Sequence, residues 1–562
     1  MDTQRIIALI IFGFSGMLLW QAWEKQHTPA ISPPGITTTP QASSTGTGVG
    51  DRSIPAPQTT TVSDPLSPPL KTVAEIVKTG KRVTVQTNKL AVELDTAGAD
   101  IRMVTLRDHL SVVHKTQPLT LLQDKPEHYF ITQSGLLGPG LPTHQAMWSI
   151  DQTRYELGSQ NVLEVRFTSV DIPGVSIDKI YTFKRDSYII DVRYEIKNES
   201  GETLNPSAYF QFVRDSNPPE GENSGSNPFT GVVTFTGPAV YTEAKKFQKV
   251  DFSDIDKDKQ DYIKTASDGW IALVQHYFVS AWLPQGTIKR EFFTRKVTDK
   301  LYSAGVIVPV GAIASGATAK ISMPLYTGPQ EQDNLKKIAP GLDLVVDYGM
   351  LTVLAYPMFV TLSWINEGIG NWGWTIIIFT ILIKLVFFPL NQRAGKSMAR
   401  MKALAPKVEA LRARVGDDKM KLNQAMMELY RNEKVNPLGG CLPMVIQIPF
   451  FIALYWVLLG AVELRNAPWI GWLHDLSSPD PFYVLPVIMG ASMLIQTKLN
   501  PAPPDPIQAK VMMIMPVVFS VMFFFFPAGL VLYWTMQNIL GIAQQWYINK
   551  TFIEAAPKAP KR

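Results

Sequence analysis

A single cysteine, Cys441, stands in a chain of 562 residues. No intrachain disulfide is possible, so thiol redox chemistry is excluded as a theme. There is no CxxC pair and no HExxH. His109, His114, His128, His144 and His276 fall at no metal-ligand spacing and read as surface or hydrogen-bonded side chains. Gly395-Lys396-Ser397 has the form of a phosphate-loop ending, but Leu390 stands where the loop's first glycine is required. Charged residues are only 18% of the chain. None of the long apolar runs contains Asp or Glu, which counts against a proton-coupled transporter. The chain is expected not to be an enzyme and to need no cofactor.

What is abundant is apolar sequence, and it is clustered. Hydrophobic residues make up 46% and mean hydropathy is +0.04. One apolar run lies at the N-terminus and the others follow residue 348. This distribution predicts a membrane protein with a large extramembrane domain. Ile6–Trp23 is long enough to span a bilayer and no small-residue cleavage site follows, so residues 1–24 are read as an uncleaved signal anchor. Residues 25–71, rich in Pro, Ser, Thr and Gly, are expected to be a disordered linker. Within 72–340, period-2 alternation marks Arg82–Val85, Leu90–Leu94, Val162–Phe167, Ile177–Phe183, Ile189–Ile196 and Lys320–Leu325. These short strands predict a large antiparallel β-sandwich.

Residues 341–370, interrupted by Pro357, are read as an amphipathic helix lying in the membrane interface. Five spans are expected within 371–549: Trp372–Leu390, Cys441–Gly460, Phe482–Thr497, Val511–Pro527 and Ala528–Ile548. With the N-terminal anchor they make a six-span α-helical membrane bundle. The third and fourth are short for a bilayer and are expected to thin it locally. Loop 392–435 holds 11 Lys/Arg against 5 Asp/Glu, more than the chain's whole excess of +5. Such a loop belongs in the cytoplasm. Both termini then face the cytoplasm, including the basic tail 550–562, and the β domain is periplasmic, which implies an inner membrane.

Lys384 is the only charged side chain within the six runs, with Thr380 one turn before it on the same face. One reading has it snorkel to the cytoplasmic interface. The other has it face water inside the bundle. Gln447, Ser520, Gln537, Asn538, Gln544 and Gln545 are further polar groups in the spans. They either glue helices together or, with Lys384, line a wet, positively charged cavity. Loop 392–435 is expected to form a hairpin of two helices, stopped at Gly416 and restarted by Asp417-Asp418. Its methionines Met398, Met401, Met420, Met426 and Met427 serve either self-packing or adaptable contact with apolar segments.

The last 200 or so residues resemble the YidC/Oxa/Alb family of membrane protein insertases. The matching stretches include Gly370-Asn-Trp-Gly-Trp374, Ser397-Met-Ala-Arg-Met401, Lys434-Val-Asn-Pro-Leu-Gly-Gly-Cys-Leu-Pro443, Gln447-Ile-Pro449, Asp480-Pro-Phe-Tyr483 and Phe526-Pro-Ala-Gly-Leu-Val-Leu-Tyr-Trp534. The anchor plus β domain resembles the layout of Gram-negative members, in which that domain is a β-supersandwich of the sugar-mutarotase type. The resemblance implies an insertase and folding chaperone working through a hydrophilic groove with a positive residue. That residue is usually arginine; Lys384 stands there, keeping the charge but losing the bidentate fork. Thr380, Gln447, Tyr533 and Trp534 match groove or substrate-contact positions. The implied partners are nascent membrane proteins, the Sec translocon, the ribosome and membrane lipids, with no nucleic-acid recognition by sequence. The competing readings are an envelope-assembly scaffold and a transporter with a periplasmic receptor domain.

Overall fold

A computed structural model describes residues 53–55, 79–114, 116–170, 172–219, 235–416, 418–433, 435, 442–499 and 506–552. The expected signal anchor 1–24, nearly all of the linker 25–71, Cys441 and most of the tail 550–562 lie outside the described residues.

The first half is built from strands β1 Arg82–Gln86, β2 Leu90–Asp95, β3 Asp100–Leu110, β4 Pro118–Lys125, β5 His128–Leu137, β6 Trp148–Ser149, β7 Arg154–Glu156, β8 Val162–Ser169, β9 Val175–Lys184, β10 Ile189–Asn198, β11 Ser207–Asp215, β12 Gly237–Thr242, β13 Lys246–Lys249, β14 Thr265–Ala266, β15 Trp270–Val274, β16 Phe278–Trp282, β17 Arg290–Thr298, β18 Leu301–Pro309 and β19 Thr318–Pro329. They form a ten-stranded and a nine-stranded sheet. Pairing is antiparallel except between β1 and β7. The six strands expected from alternation are all present. In β10, for example, Ile190, Val192, Tyr194 and Ile196 face the core while their neighbours are half-exposed.

Other strands show no alternation because both of their faces are covered. In β15, Ile271 and Leu273 point into the sandwich, while Trp270, Ala272 and Val274 point to a second apolar cluster. β12 and β16 divide in the same way: Val240 and Phe278 go inward, and Tyr241, Val279 and Ala281 outward. The outward cluster continues through Leu335 of a short helix, past Leu342, Val345 and Tyr348, and into the helices that follow. The sandwich and the helical half therefore share one apolar core. Polar contacts cross the same seam. His276 Nε2 lies 2.9 Å from the Leu459 carbonyl. Arg465 donates to the Leu110 carbonyl at 2.7 Å and lies 5.1 Å over the Phe278 ring.

The helices are α1 Phe252–Asp256, α2 Gln332–Ile338, α3 Thr352–Ile369, α4 Trp372–Val386, α5 Phe388–Ala403, α6 Ala405–Val415, α7 Lys419–Asn432, α8 Leu442–Gly460, α9 Val484–Leu499, α10 Pro506–Met522 and α11 Ala528–Phe552. α3 buries Ala355, Met358, Phe359, Leu362 and Ile365, exposes Trp364, and ends at Gly370 in the left-handed region (φ 69°). Asn371 then caps α4, accepting from the Trp374 amide at 3.2 Å.

Two sequence expectations need correction. The first expected span, Trp372–Leu390, does not run straight: α4 stops at Val386, and the chain bends by 64° into α5. Pro389 explains the break, since it lacks an N–H for the Leu385 carbonyl and its ring collides with it. The first arm of the hairpin is likewise two helices, α5 and α6, parted at Leu404. Pro406 sits in the first turn of α6, where its missing N–H costs nothing. Gly416 ends α6, and the Asp418 carboxylate caps α7, accepting from the Met420 and Lys421 amides at 3.1 Å each. Lys407 on α6 pairs with Glu433 just after α7. Among the described residues no single helix is long and apolar enough to cross a membrane. The bent pair Trp372–Val386 and Phe388–Ser397 reaches that length and composition jointly.

Candidate functional site

The site is organised by α11, which packs against α9, α4 and α5. Near its middle is Gly541. A Cβ built there would lie 3.2 Å from Gln496 Nε2 on α9 and 3.6 Å from Lys384 Nζ on α4. The missing side chain at 541 is what lets an ammonium and an amide from two other helices meet on the α11 backbone. Gln537, Gly541, Gln544 and Ile548 follow one another at helical spacing, so α11 presents a mostly polar stripe. One turn before Gly541, Asn538 Nδ2 donates to Ser492 Oγ on α9 at 3.1 Å. Ser492 and Gln496 are four residues apart and share a face.

Two amide atoms in this seam, Gln537 Oε1 and Gln544 Nε2, are buried without a hydrogen-bond partner. Buried polar atoms are nearly always paired, so these two mark where water or a passing chain must be met. Lys384 is partly exposed and lies in the last turn of α4, two residues before the bend. The negative end of the helix dipole favours a cation there. Its place at a helix end, which sequence spacing did not reveal, follows from Pro389.

The other expected groove residues divide. Thr380, fully buried one turn before Lys384, spends its hydroxyl proton on the Ile376 carbonyl at 2.6 Å. Gln447 donates to Asn391 Oδ1 on α5 at 3.2 Å and so ties α8 to the far side of the bend. Ser520 belongs to a different seam. It donates to the Pro486 carbonyl at 3.0 Å and packs on Gly490, on the face of α9 opposite Ser492 and Gln496. Tyr533 and Trp534 lie seven to eight residues before Gly541, ~11–12 Å along the helix at 1.5 Å per residue. They pack with Phe451 (ring centroids 6.1 and 5.4 Å), and Trp534 also with Phe523 (5.7 Å). The expected cluster is thus three contacts: a polar seam around Lys384, an aromatic packing layer, and a hydroxyl bond between α9 and α10. Gln496, Ser492 and Gly541 were missed; the rule that singled out Gln447, a polar residue inside an apolar run, would have found the first two.

On the hairpin, Met420 and Met427 are exposed, Met401 and Met426 are half-buried, and the side chain of Met398 lies outside the described residues. At the N-terminal ends of α9 and α11 the loops are stitched together. Asp480 accepts from the Phe482 and Leu485 amides (3.0 and 2.8 Å) and from Trp472 Nε1 (2.9 Å). The Ala528 and Gly529 amides donate to the Ser478 and Leu476 carbonyls at 2.8 and 2.9 Å.

Comparison with known proteins adds a family. Residues 82–361 match the YidC periplasmic domain and residues 364–555 match the 60Kd inner membrane protein family. A membrane protein insertase YidC of Aromatoleum aromaticum is 52% identical over 98% of this chain and 98% of its own. Another, of Methylobacillus flagellatus, is 49% identical over 99% of each chain. A solved structure described as an active YidC insertase with the first transmembrane domain resolved aligns over 85% of this chain and 94% of its own. Its identity is 18% and its TM-score 0.39, too low to carry detail across.

Proposed function

The chain belongs to the YidC family of inner-membrane protein insertases, and on that premise we propose that the seam around Lys384 is where a substrate's polar flank is met. The observation that carries this is the placing of Lys384 Nζ with Gln496 against the bare backbone of Gly541, beside the unpaired amide atoms of Gln537 and Gln544. The seam supplies hydrogen-bonding partners to a polar segment that would otherwise lose its water in the bilayer core. Lys384 attracts acidic residues in that segment. The apolar part of the substrate then leaves sideways into lipid, driven by its own hydrophobicity.

In this reading the helices of 371–549 span the inner membrane, and short α9 and α10 thin it. The hairpin 392–435 lies in the cytoplasm, where Met420 and Met427 touch arriving apolar segments. Both termini are cytoplasmic, and α3 lies in the interface. The same seam serves substrates delivered by ribosomes or passed on by the Sec translocon, and no nucleotide is consumed.

The test is insertion into liposomes containing only this protein. The substrate carries a short acidic translocated segment and is scored by protease protection without ATP. Lys384→Arg should retain activity, Lys384→Ala should lose part of it and Lys384→Glu nearly all. Normal rates for both Lys384→Ala and Lys384→Glu would overturn the charge-attraction step.

A further inference from the structure

Between residues 1–52 and 56–78, three residues are described: Ser53, Ile54 and Pro55. They lie on the outer face of the ten-stranded sheet of the β domain. Ser53 is 2% exposed and Pro55 is buried, although the surrounding sequence is linker-like.

The Ser53 and Ile54 carbonyls and the Ser53 hydroxyl all meet partners from the sheet or from the loop beside it. The Ser53 carbonyl accepts from Gln211 Nε2 at 3.1 Å and from Arg295 Nη2 at 3.0 Å. The Ile54 carbonyl accepts from Arg295 Nη1 at 2.8 Å. Gln145 Nε2 donates to Ser53 Oγ at 3.2 Å. His144 completes the set. Its backbone N–H donates to the Tyr209 hydroxyl at 3.0 Å, and its Nδ1 is hydrogen-bonded to the same oxygen at 2.6 Å. Its Nε2 is hydrogen-bonded to Ser53 Oγ at 3.2 Å. Pro55 brings no N–H, so its burial leaves no donor unmet.

The seat is built into the sheet rather than made by chance contact. Tyr209 and Gln211 on β11 share the outer face, because Ala208, Phe210 and Phe212 take the inner one. Gln211 stands directly opposite Gln133 on β5 and donates to it at 3.0 Å. Arg295 is held by Ser303 Oγ at 3.1 Å and lies over Phe293 at 5.2 Å. Two glycines keep the seat open. A Cβ at Gly135 would stand 2.7 Å from the Tyr209 hydroxyl, and one at Gly305 would stand 2.7 Å from both Gln211 and Phe293.

We infer that this face of the β domain is a peptide-binding site, specific for a short turn segment with a small hydroxyl side chain and a proline two residues after it, and that the chain's own Ser53-Ile54-Pro55 occupies it. Recognition runs through two accepting backbone carbonyls and one hydroxyl. Occupation gives the β domain a hold on the chain at residue 53, ahead of residue 79, where its continuous described chain begins.

The test uses the full chain in nanodiscs with Cys441→Ser and Ile54→Cys, whose side chain makes none of the recognition bonds, and measures the rate at which a maleimide modifies the introduced thiol. A synthetic peptide of residues 50–57 with the same substitution gives the free rate. Modification at least tenfold slower than the peptide is expected, with Arg295→Ala restoring the free rate. Where Arg295→Ala does not fold, the Gln145→Ala and Gln211→Ala pair, which removes donors to the same Ser53 atoms, takes its place and should do the same. A thiol that reacts at the free rate in the otherwise unaltered chain would overturn the site, as would protection that survives loss of the donors.

Discussion

The β domain and the helical bundle solve opposite problems with the same residue types. In the sandwich, buried charge is set against opposite charge and backbone carbonyls. Lys179 and Asp100, both fully buried, lie 3.4 Å apart, and Lys179 also donates to the Gly98 carbonyl at 2.8 Å. Burial pushes the Asp100 carboxyl up and the Lys179 ammonium down to about 8, against the attraction between them. Arg290 is held by the Gly269, Pro284 and Ser267 carbonyls, each at 3.0 Å. The bundle, besides its buried apolar core, also turns apolar residues outward. Val511, Met513, Val517, Val518 and Val521 of α10 are all more than half exposed. The polar residues are inside, and two of their amide atoms are unanswered. Both regions hold buried polar atoms without a partner; they differ in what faces the lysine, a carboxylate at Lys179 and an amide with a bare glycine backbone at Lys384.

The contrast breaks most visibly if each region's lysine is removed. Lys179→Ala leaves Asp100 buried without its partner and should destabilise the β domain by about 3–5 kcal/mol. This would be read as a lower unfolding midpoint of the full chain, with insertion per folded molecule unchanged. Replacing both members by apolar residues, Lys179→Met with Asp100→Leu, should recover most of that loss. Lys384→Glu should do the reverse: little change in unfolding, and an insertion rate down by about tenfold or more, ~1.4 kcal/mol or more of barrier. Gly541→Val, which puts branched carbon where Lys384 and Gln496 approach, should slow insertion about threefold, ~0.6 kcal/mol. Gly541→Ala should be nearly silent.

A pH-dependent effect lies at the seam joining the regions. Burial, with Arg465 nearby, lowers His276 to about 4, while its bond to the Leu459 carbonyl works the other way. Burial, Arg465 and Lys89 lower His109 to about 4, against Asp108. Both are neutral when folded, whereas the unfolded chain takes up their protons near pH 6.5. Their share of stability is therefore complete above pH 6.5 and is lost as pH falls from there toward 4. Thermal unfolding followed from pH 7 to 4.5 should show this drop, and His276→Gln should flatten part of it.

Sequence alone revealed each region where its period was clean. Alternation marked β1, β2, β8, β9, β10 and β19 because each has one wet and one dry face. It missed β5, β11, β15, β16 and β18, whose burial is nearly continuous. A strand covered on both faces has no period to read, and what covers β15 and β16 comes from more than 50 residues further along the chain. In the bundle, Lys384 stood out as a charge in an apolar run. Gln496 did not, because a neutral amide is a weak signal and its importance depends on a glycine 45 residues later. Ser520 was misplaced because sequence says a residue is in a span but not which neighbour it faces. The bend at Phe387 was legible in principle through Pro389.

The shared core between sheet and helices has a mechanical consequence. The outer faces of β15 and β16 press on the same cluster that holds α3, α4 and α8, and His276 grips the end of α8 at Leu459. A domain joined only by slack chain would absorb a tug by straightening that chain. Here a load placed on the sandwich by anything that grasps it arrives directly at the helix ends. The two halves are coupled by packing, so neither can shift far without the other following.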